Sequence, residues 1–397
     1  MEKTKKILLL NAGHTEIPLI EELKKMGVYL ITSGKRGDLP GHKMGDEYIE
    51  ADYSDKEKIL ELVKREGVDG IISCAHDYGL ITASYVAEKM GWKGHDTYEN
   101  TLRLHQKDLF KELCEQLDIR SPRSYAFTEP EKAEEFAKSA EYPIIVKAVD
   151  QASGVGVMRA DNYDEAVRAI SNGFANSRGK RIVIEPFIVG AQESFVAFVV
   201  DKKVVSSMSC NCYSPINPYL IQTETMPSDN YENLKEELTG IIEKLFHTLN
   251  LVDGIITLQY IVKDGKPYII ETMRRCLGNQ FLTAISAVTG FPWHKALVLA
   301  ELGESCKGLP QEEPKARFSG HHAIMSSCNG IYMGTTIPSD IMDHVYKYVE
   351  LFEKGQRIDN YKNERIGYIY YTYETREELD NAAKSFNQRI RINVIPE

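Results

Sequence analysis

The N-terminal quarter of the chain alternates short apolar runs with amphipathic helical stretches, and no other feature limits the possible folds as strongly. Apolar runs at residues 7–10, 28–32 and 68–74 have the length and composition of strands. The stretches 19–23 and 59–63 carry apolar residues at helical spacing. Apolar strands separated by amphipathic helices form a parallel sheet with helices on both faces. The sequence therefore predicts a Rossmann-like unit at the N-terminus.

The rest of the chain has a different pattern of predicted helices, strands and turns. A helix over residues 107–117 is followed by the break Ser121-Pro122 and by strands whose turn residues are typical of antiparallel hairpins. Residues 310–314, Pro-Gln-Glu-Glu-Pro, indicate an exposed linker before a final segment of short strands and one or two helices. A chain of 397 residues exceeds one ordinary core. We therefore predict three domains of α/β and α+β class: 1–96, 97–308 and a small α+β domain at 309–397.

Composition and charge exclude several classes of protein. With 43% hydrophobic and 27% charged residues, the chain has the mixture of a soluble globular protein. Its net charge of −10 would repel nucleic-acid phosphates and anionic lipids. The apolar run that ends at Leu10 is too short for a signal peptide, and no apolar stretch is long enough to span a membrane. We expect a cytoplasmic protein with no nucleic-acid or membrane partner.

The seven cysteines are odd in number and contain no C-x-x-C pair, which is typical of unpaired thiols in a reducing compartment. Cys210 and Cys212 would point the same way on a strand and could form half of a metal site. No His or Cys follows them at a suitable spacing, so packing is the favoured interpretation. The neighbours His321 and His322 would face opposite sides of any strand, so they are not expected to share a metal ion.

Three segments of the middle region carry candidate chemistry, and the first is a strand over residues 142–150 that contains Lys147. The small residues Ser153, Gly154 and Gly156 follow it and permit a mobile hairpin loop whose N–H groups can close over phosphates. On its own, the segment is equally consistent with a glycine-containing β-turn and a solvated lysine.

The second segment places two carboxylates around a connection between strands. Glu185 and Glu193 could meet an adenine amine and ribose hydroxyls, while the backbone of Phe187 and Ile188 could contact the edge of the base. Taken singly, exposed acidic residues at strand ends are the simpler interpretation.

The third segment is a hairpin with an Asp-Gly turn. If Asp264, Gly265 and Lys266 form a three-residue loop, Gln259 lies directly opposite Glu271, and the two side chains project from the same face. A two-residue loop would spoil this alignment. Mg²⁺ selects hard oxygen ligands of this kind, so the pair is predicted to bind a metal ion.

These three elements, in this order, make the chain similar to the ATP-grasp superfamily over roughly residues 5 to 300. Within it, the chain resembles most the branch of carbamoyl-phosphate-synthase-like enzymes, purine-biosynthetic carboxylases and L-amino-acid ligases. The resemblance implies an ATP-grasp fold with a Rossmann-like pre-grasp domain and a small C-terminal α+β domain. It also implies that Lys107 and Lys147 bind phosphate and that Ser153, Gly154 and Gly156 form a phosphate-covering loop. An adenine clamp is implied at Glu185, Phe187 and Ile188, and a ribose ligand at Glu193. Gln259 and Glu271 are implied as metal ligands.

Two positions depart from the commoner family pattern. Gln259 stands where a Glu is more frequent and removes one negative charge from the metal site. Met273 replaces a frequent Asn, and its thioether is a poor ligand for a hard cation, so a second metal ion is in doubt.

The resemblance implies an ADP-forming ligase that uses ATP and Mg²⁺, with Mn²⁺ as an alternative, to activate a small carboxylate as an acyl phosphate for attack by an amine. Arg275 would hold the carboxylate by its planar fork and act in catalysis together with Lys147, whereas Arg274 should point elsewhere. A purine-biosynthetic or carbamoyl-phosphate-synthase-like enzyme that activates bicarbonate or formate remains open. Glu271, Lys147 and Arg275 together speak against a regulator without turnover. A homodimer is a further expectation.

Candidate substrate contacts follow the first and third predicted strands, where open sheets bind ligands: His14, Thr15, Glu16, His76 and Asp77. The first of these turns lacks G-x-G-x-x-G, so a dinucleotide is not expected. Glu224 lies in a segment that resembles one facing the acyl site of ligases.

Overall fold

The structure is a computed structural model that describes residues 4–396. Its N-terminal part has four strands and three helices: β1 (Lys6–Leu10), α1 (Ile17–Lys25), β2 (Tyr29–Gly34), β3 (Glu47–Glu50), α2 (Lys56–Glu66), β4 (Gly70–Ile72) and α3 (Asp77–Met90). The strands pair in the order β3-β2-β1-β4, and all three pairings are parallel. The predicted Rossmann-like sheet is confirmed, although the sequence pattern did not indicate β3.

Local signals explain where these helices begin and end. The Asp55 side chain accepts a hydrogen bond from the Lys58 backbone N–H at the start of α2, and Gly67 ends this helix with a left-handed φ of 63°. Ile59, Leu60, Leu62 and Val63 are buried on the inner face of the helix. These features place the turns after β1 and β4 at one edge of the sheet.

The next part contains a second small sheet covered by helices: α4 (Tyr98–His105), α5 (Lys107–Gln116), β5 (Tyr125–Phe127), α6 (Pro130–Lys138), β6 (Ile144–Ala148), β7 (Val157–Ala160), α7 (Tyr163–Asn176) and β8 (Ile182–Pro186). Its strands run antiparallel in the order β5-β8-β6-β7. The hairpin β6–β7 carries the glycine-containing loop, and β8 lies beside β6.

The remaining elements form a large central sheet and its cover: β9 (Ala191–Val200), β10 (Lys203–Tyr213), β11 (Thr223–Met226), α8 (Tyr231–Leu249), β12 (Gly254–Lys263), β13 (Lys266–Met273), α9 (Phe281–Thr289), α10 (Trp293–Glu301), β14 (Phe318–Ile324), β15 (Gly330–Thr336), α11 (Ser339–Met342), β16 (Val345–Glu350), β17 (Arg357–Ile358), β18 (Gly367–Tyr373), α12 (Arg376–Arg389) and β19 (Arg391–Pro396). The order of the eight-stranded sheet is β13-β12-β9-β10-β11-β14-β18-β16, and a separate three-stranded sheet has the order β17-β15-β19.

This topology joins the final segment to the middle of the chain. After the irregular, mostly exposed stretch 303–317, β14 pairs with β11, so the strands that follow the linker extend the central sheet. The final segment has the predicted α+β composition. The domain boundaries remain a prediction. No helix within residues 4–396 combines the length and apolar character needed to cross a membrane.

Candidate active site

A cavity of about 950 Å³ lies between the N-terminal sheet, the second small sheet and the eight-stranded central sheet. It is lined by most of the side chains that the sequence singled out: His14, Thr15, Glu16, His76, Asp77, Lys107, Lys147, Ser153, Gly154, Glu185, Phe187, Ile188, Glu224, Gln259, Glu271 and Arg275. Neither Gly156 nor Glu193 is among the residues that line it. We call the part around Lys107, Lys147 and Glu271 the lysine-lined part, and the part around His14 and Arg275 the arginine-lined part.

A buried ion-pair group lies in the lysine-lined part. The Lys147 ammonium on β6 donates a hydrogen bond of 2.7 Å to Glu185 Oε2 on β8. The second carboxylate oxygen, Oε1, lies 3.6 Å from the Lys111 ammonium and has no hydrogen-bond partner within the described chain. Burial alone would raise the pKa of Glu185, but the two ammonium groups outweigh it and hold that pKa below its ordinary value.

Lys111 was not predicted from the sequence. Its ammonium donates hydrogen bonds to Ser121 Oγ and to the Ile269 carbonyl, and burial lowers its pKa to about 8 against the opposing effect of Glu185. Its position one helical turn after Lys107 was the available signal. Lys111 does not line the cavity, so it supports Glu185 from behind.

Lys107 connects the glycine-containing loop to the β12–β13 hairpin. Its ammonium donates to the Gln151 carbonyl at 2.6 Å and lies 3.9 Å from Glu271 Oε2. The cation therefore sits between the loop and the carboxylate that the sequence predicts as a metal ligand.

The loop itself depends on left-handed backbone at three predicted residues, with φ of 56° at Ser153, 75° at Gly154 and 70° at Gly156. A Cβ at Gly154 would lie 2.5 Å from the Tyr219 Cβ, and one at Gly156 would lie 2.7 Å from the Ala148 Cβ. Gly154 thus permits close packing beside the cavity, whereas Gly156 permits packing behind it.

Gln259 and Glu271 lie directly opposite each other, as predicted, but for a different reason. Lys263 pairs with Lys266, so the hairpin has a two-residue turn. A register shift after Gln259 leaves Ile270 as an extra residue on β13 and restores the alignment. Turn length alone would have placed these two side chains out of register.

Glu193 faces away from the cavity. Its carboxylate is fully buried and accepts hydrogen bonds from Ser228, Asn230 and Tyr260. On the same strand, the neighbouring Gln192 lines the cavity instead. The structure therefore does not bring Glu193 to the other predicted site residues.

Arg275 lies in the arginine-lined part and is held by Asp77. Its Nε donates to Asp77 Oδ1 at 2.5 Å, and His105 Nδ1 lies 3.2 Å from the same oxygen. Burial would raise the pKa of Asp77, but Arg275 and His105 hold it well below its ordinary value. The Arg275 Nη2 lies 3.5 Å from the Met273 sulfur, a weak acceptor that a carboxylate could replace.

Arg274 has a different environment. Its guanidinium binds Asp96 at 2.9 Å and donates to the carbonyls of Ile255 and Val252. All of these contacts are away from the cavity lining. Arg274 therefore joins the N-terminal region to the central sheet, as its predicted direction suggested.

The two turns at the edge of the N-terminal sheet are fastened together by Glu16. Its buried carboxylate accepts hydrogen bonds from the Gly13 and Ala75 backbone N–H groups and from the Asn11 side chain. With its acceptors occupied in this way, Glu16 fixes the backbone that presents His14.

The ring of His14 stacks on Tyr368, with centroids 5.2 Å apart. Burial lowers the pKa of His14 to about 4, helped by the nearby cations of Arg365 and Lys347, so the imidazole is neutral at pH 7. His76 stacks on Tyr78 at 5.7 Å and also has a pKa lowered by burial.

Residues of the final segment complete the arginine-lined part. Arg365 and Tyr368 line the cavity, and the buried Arg365 Nε has no hydrogen-bond partner among the described residues. The Tyr368 hydroxyl donates to Asn279 Oδ1 at 2.7 Å. No local pattern in the sequence distinguishes Arg365 from other surface arginines, so it was not predicted.

Comparison with known proteins gives a family match in the middle of the chain. Residues 105–217 match the family described as phosphoribosylglycinamide synthetase, ATP-grasp (A) domain. The carbamoyl phosphate synthase large chain of Methanothrix thermoacetophila is 26% identical over 318 residues, which are 72% of this chain and 29% of that protein. The chain thus spans less than a third of the length of this curated relative.

Solved structures extend the similarity to the whole chain. The L-amino acid ligase from Bacillus licheniformis aligns over 100% of both chains with a TM-score of 0.85 and 18% identity. The biotin carboxylase domain dimer of Hydrogenobacter thermophilus 2-oxoglutarate carboxylase, solved with MgADP, ADP and bicarbonate, aligns over 99% of this chain and 92% of that chain, with a TM-score of 0.78 and 18% identity. At these identities the alignments establish a common fold. Residues 105–217 thus match an ATP-grasp domain, and over its whole length the chain shares the fold of these solved structures.

Proposed function

We propose that this chain is an ADP-forming carboxylate-amine ligase that activates a small carboxylate, such as an amino acid, as an acyl phosphate with Mg-ATP. The observation that carries this proposal is the convergence of the Gln259–Glu271 oxygen pair with Lys107, Lys147 and Arg275 on one cavity. The solved structures of similar fold include an L-amino acid ligase and a biotin carboxylase domain in complex with MgADP, ADP and bicarbonate.

The donor set of the lysine-lined part fits Mg-ATP. Gln259 and Glu271 offer hard oxygen atoms on one face of the hairpin. The ammonium groups of Lys107 and Lys147 can pair with phosphate oxygens. Gly154 leaves no room for a Cβ where the loop approaches Tyr219, so its backbone can lie close to a phosphate. The Phe187 and Ile188 backbone beside Glu185 can contact the adenine edge.

Each residue group then has a separate task. Bound Mg-ATP supplies the phosphoryl group that converts a carboxylate into a good acylating agent. Lys147 and Lys107 balance the charge on phosphate oxygens, and Glu271 with Gln259 holds the cation. Arg275, fixed by Asp77, orients the carboxylate by its planar fork.

The arginine-lined part supports an organic carboxylate and an amine acceptor. His14 is neutral at pH 7, so Arg275 and Arg365 are the cations that can pair with substrate carboxylates there. Activation of bicarbonate or formate would use the same lysines and oxygen ligands. The choice between these substrates therefore depends on the arginine-lined part.

Trapping of the activated acyl group with hydroxylamine tests the proposal. Purified protein with Mg-ATP is incubated with single L-amino acids, other small carboxylates, formate or bicarbonate, and hydroxamate and ADP are measured together. We expect ADP and a hydroxamate with at least one organic carboxylate. Formation of AMP and pyrophosphate would exclude this mechanism, and ADP formation that depends only on bicarbonate or formate would favour the alternative substrates.

A further inference from the structure

Four ligand-type side chains converge on one face of the central sheet, on three neighbouring strands. Cys210 and Cys212 lie two residues apart on β10. Glu224 on β11 is directly opposite Cys212, and His321 on β14 is directly opposite Glu224. Directly opposed residues project from the same face, so strand pairing alone brings two thiols, a carboxylate and an imidazole together. The partners that the local sequence around the cysteines lacks come from other strands.

Three distances between neighbouring ligand atoms in this cluster are close to those of a tetrahedral zinc site. Zinc ligands at about 2.0–2.3 Å from the ion lie roughly 3.3–3.8 Å from one another. In the structure, Glu224 Oε1 is 3.2 Å from Cys210 Sγ and 3.7 Å from Cys212 Sγ, and Glu224 Oε2 is 3.4 Å from His321 Nδ1. The ligand atoms of the two cysteines and Glu224 all lie within 4.8 Å of one another. These three side chains form the core of the candidate site, and a reorientation of the Glu224 carboxylate, whose Oε2 faces His321, would bring the imidazole to the same ion.

His321 points a ligand atom into the cluster without any hydrogen bond to satisfy it. The residue is fully buried, and its Nδ1 has no hydrogen-bond partner within the described chain. Its ring lies between Phe281 and two tyrosines, Tyr368 and Tyr370, which fix its orientation. A buried imidazole nitrogen without a hydrogen-bond partner can offer its lone pair to a metal ion.

We propose that Cys210, Cys212, Glu224 and His321 form a Zn²⁺ site, separate from the Mg²⁺ ligands of the lysine-lined part. Two sulfur ligands with an imidazole and a carboxylate match a borderline-soft cation, whereas Mg²⁺ prefers oxygen ligands throughout. With four protein ligands the site is closed and structural. It ties β10 and β11 to β14, the strand by which the final segment joins the central sheet.

Metal analysis of the full chain tests the proposal. Protein reconstituted with Zn²⁺ and desalted should retain about one equivalent by mass spectrometry, and Co²⁺ in its place should give thiolate charge-transfer absorption. The double variant C210S/C212S and the single variant His321→Asn should lose zinc. Cys328→Ser and His322→Asn are the matched controls: Cys328 is a partly exposed thiol outside the cluster, and His322 faces away and bonds Thr223.

The outcomes separate this site from the proposed ligase activity. Zinc retained by the C210S/C212S variant, or lost equally in the controls, would overturn the proposal. If the variants do not fold, the Co²⁺ spectrum of the unaltered chain decides, because a spectrum without thiolate absorption excludes the two cysteines as ligands. Calorimetry of Mg-ATP binding should be unchanged by zinc removal at the lysine-lined part, so failure of one proposal leaves the other testable.

Discussion

The two parts of the cavity differ in how their groups are charged and assembled. In the lysine-lined part, Lys147, Lys111 and Glu185 form a preorganised network of opposite charges. In the arginine-lined part, His14 is held neutral by burial, and Glu224 has its pKa raised to about 7. The first part is therefore suited to a fixed polyanion, whereas the permanent charges of the second are those of Arg275, its partner Asp77 and Arg365.

The difference also appears along the sequence. The lysine-lined part comes from α5, β6, β8 and the β12–β13 hairpin, whereas the arginine-lined part combines the turns after β1 and β4 with β11, β18 and Arg275, which follows β13. Residues that come from distant segments can be substituted one at a time without disturbing the residues proposed to bind phosphate. We infer that substrate selection belongs to the arginine-lined part.

The largest effect is expected at the metal carboxylate. Glu271→Gln removes the negative charge of the oxygen pair and should lower ADP release by roughly 100- to 1,000-fold, about 3–4 kcal/mol. Gln259→Glu keeps an oxygen ligand and should be tolerated better. ADP release is measured over a range of Mg²⁺ concentrations. Equal losses in both variants would contradict the assignment of Glu271 as the principal ligand.

The next effect concerns nucleotide affinity. Lys147→Ala removes an ammonium that we propose to pair with phosphate and leaves Glu185 with Lys111 alone, so ATP binding should weaken by about two orders of magnitude, roughly 3 kcal/mol. Isothermal calorimetry with a non-hydrolysable ATP measures it. Lys111→Met is the matched control, because Lys111 contacts the same carboxylate but does not line the cavity.

Lys107→Ala should act in the same direction as Lys147→Ala, since its ammonium lies 3.9 Å from Glu271. Unchanged affinity in both alanine variants would show that the phosphates bind elsewhere. A loss of folding stability in Lys111→Met with normal ATP affinity would sharpen the distinction between supporting and ligand-binding lysines.

A smaller effect should separate the two neighbouring arginines. Arg275→Lys keeps the charge but loses the planar fork, so hydroxamate formation should fall about 10- to 100-fold, roughly 1.5–3 kcal/mol, with ATP affinity unchanged. Arg274→Lys should lower thermal stability instead, because Arg274 binds Asp96 and two carbonyls in the interior. Near-normal hydroxamate yield from Arg275→Lys would leave Arg275 with a structural role.

Much of the fold was predictable because the relevant periodicities are local. The parallel N-terminal sheet follows from apolar runs alternating with amphipathic helices, and the antiparallel hairpins follow from their turn residues. The continuation of the central sheet from β11 to β14 was not predictable, since a pairing between distant strands leaves no local periodic signal.

The candidate site has the same limit on prediction, because some of its features depend on pairing between strands that the local sequence does not indicate. The Gln259–Glu271 pair was predicted correctly, but the alignment depends on an extra residue at Ile270 that no turn rule indicates. Glu193 was predicted as a ribose ligand from its place at the connection between strands and from the family resemblance, but on β9 its side chain points away from the cavity. The ligand partners of Cys210 became visible only through cross-strand pairing.

The smallest effect is the acid sensitivity that His14 contributes to stability. It tests whether the His14 imidazole is held neutral in the arginine-lined part. An unfolded histidine has a pKa near 6.5, and burial lowers that of His14 to about 4. The unfolded chain therefore binds a proton that the folded chain excludes, so stability is lost as the pH falls from about 6.5 toward 4, by roughly 1–2 kcal/mol at pH 5 from this residue. Urea unfolding at pH 7 and pH 5 should show a smaller loss in His14→Asn than in the parent, with His247→Asn as the control for an exposed imidazole. If His14→Asn and the parent lose the same stability between pH 7 and pH 5, His14 accepts its proton in the folded protein. His14 would then be a second cation beside Arg275 that is available to a substrate carboxylate.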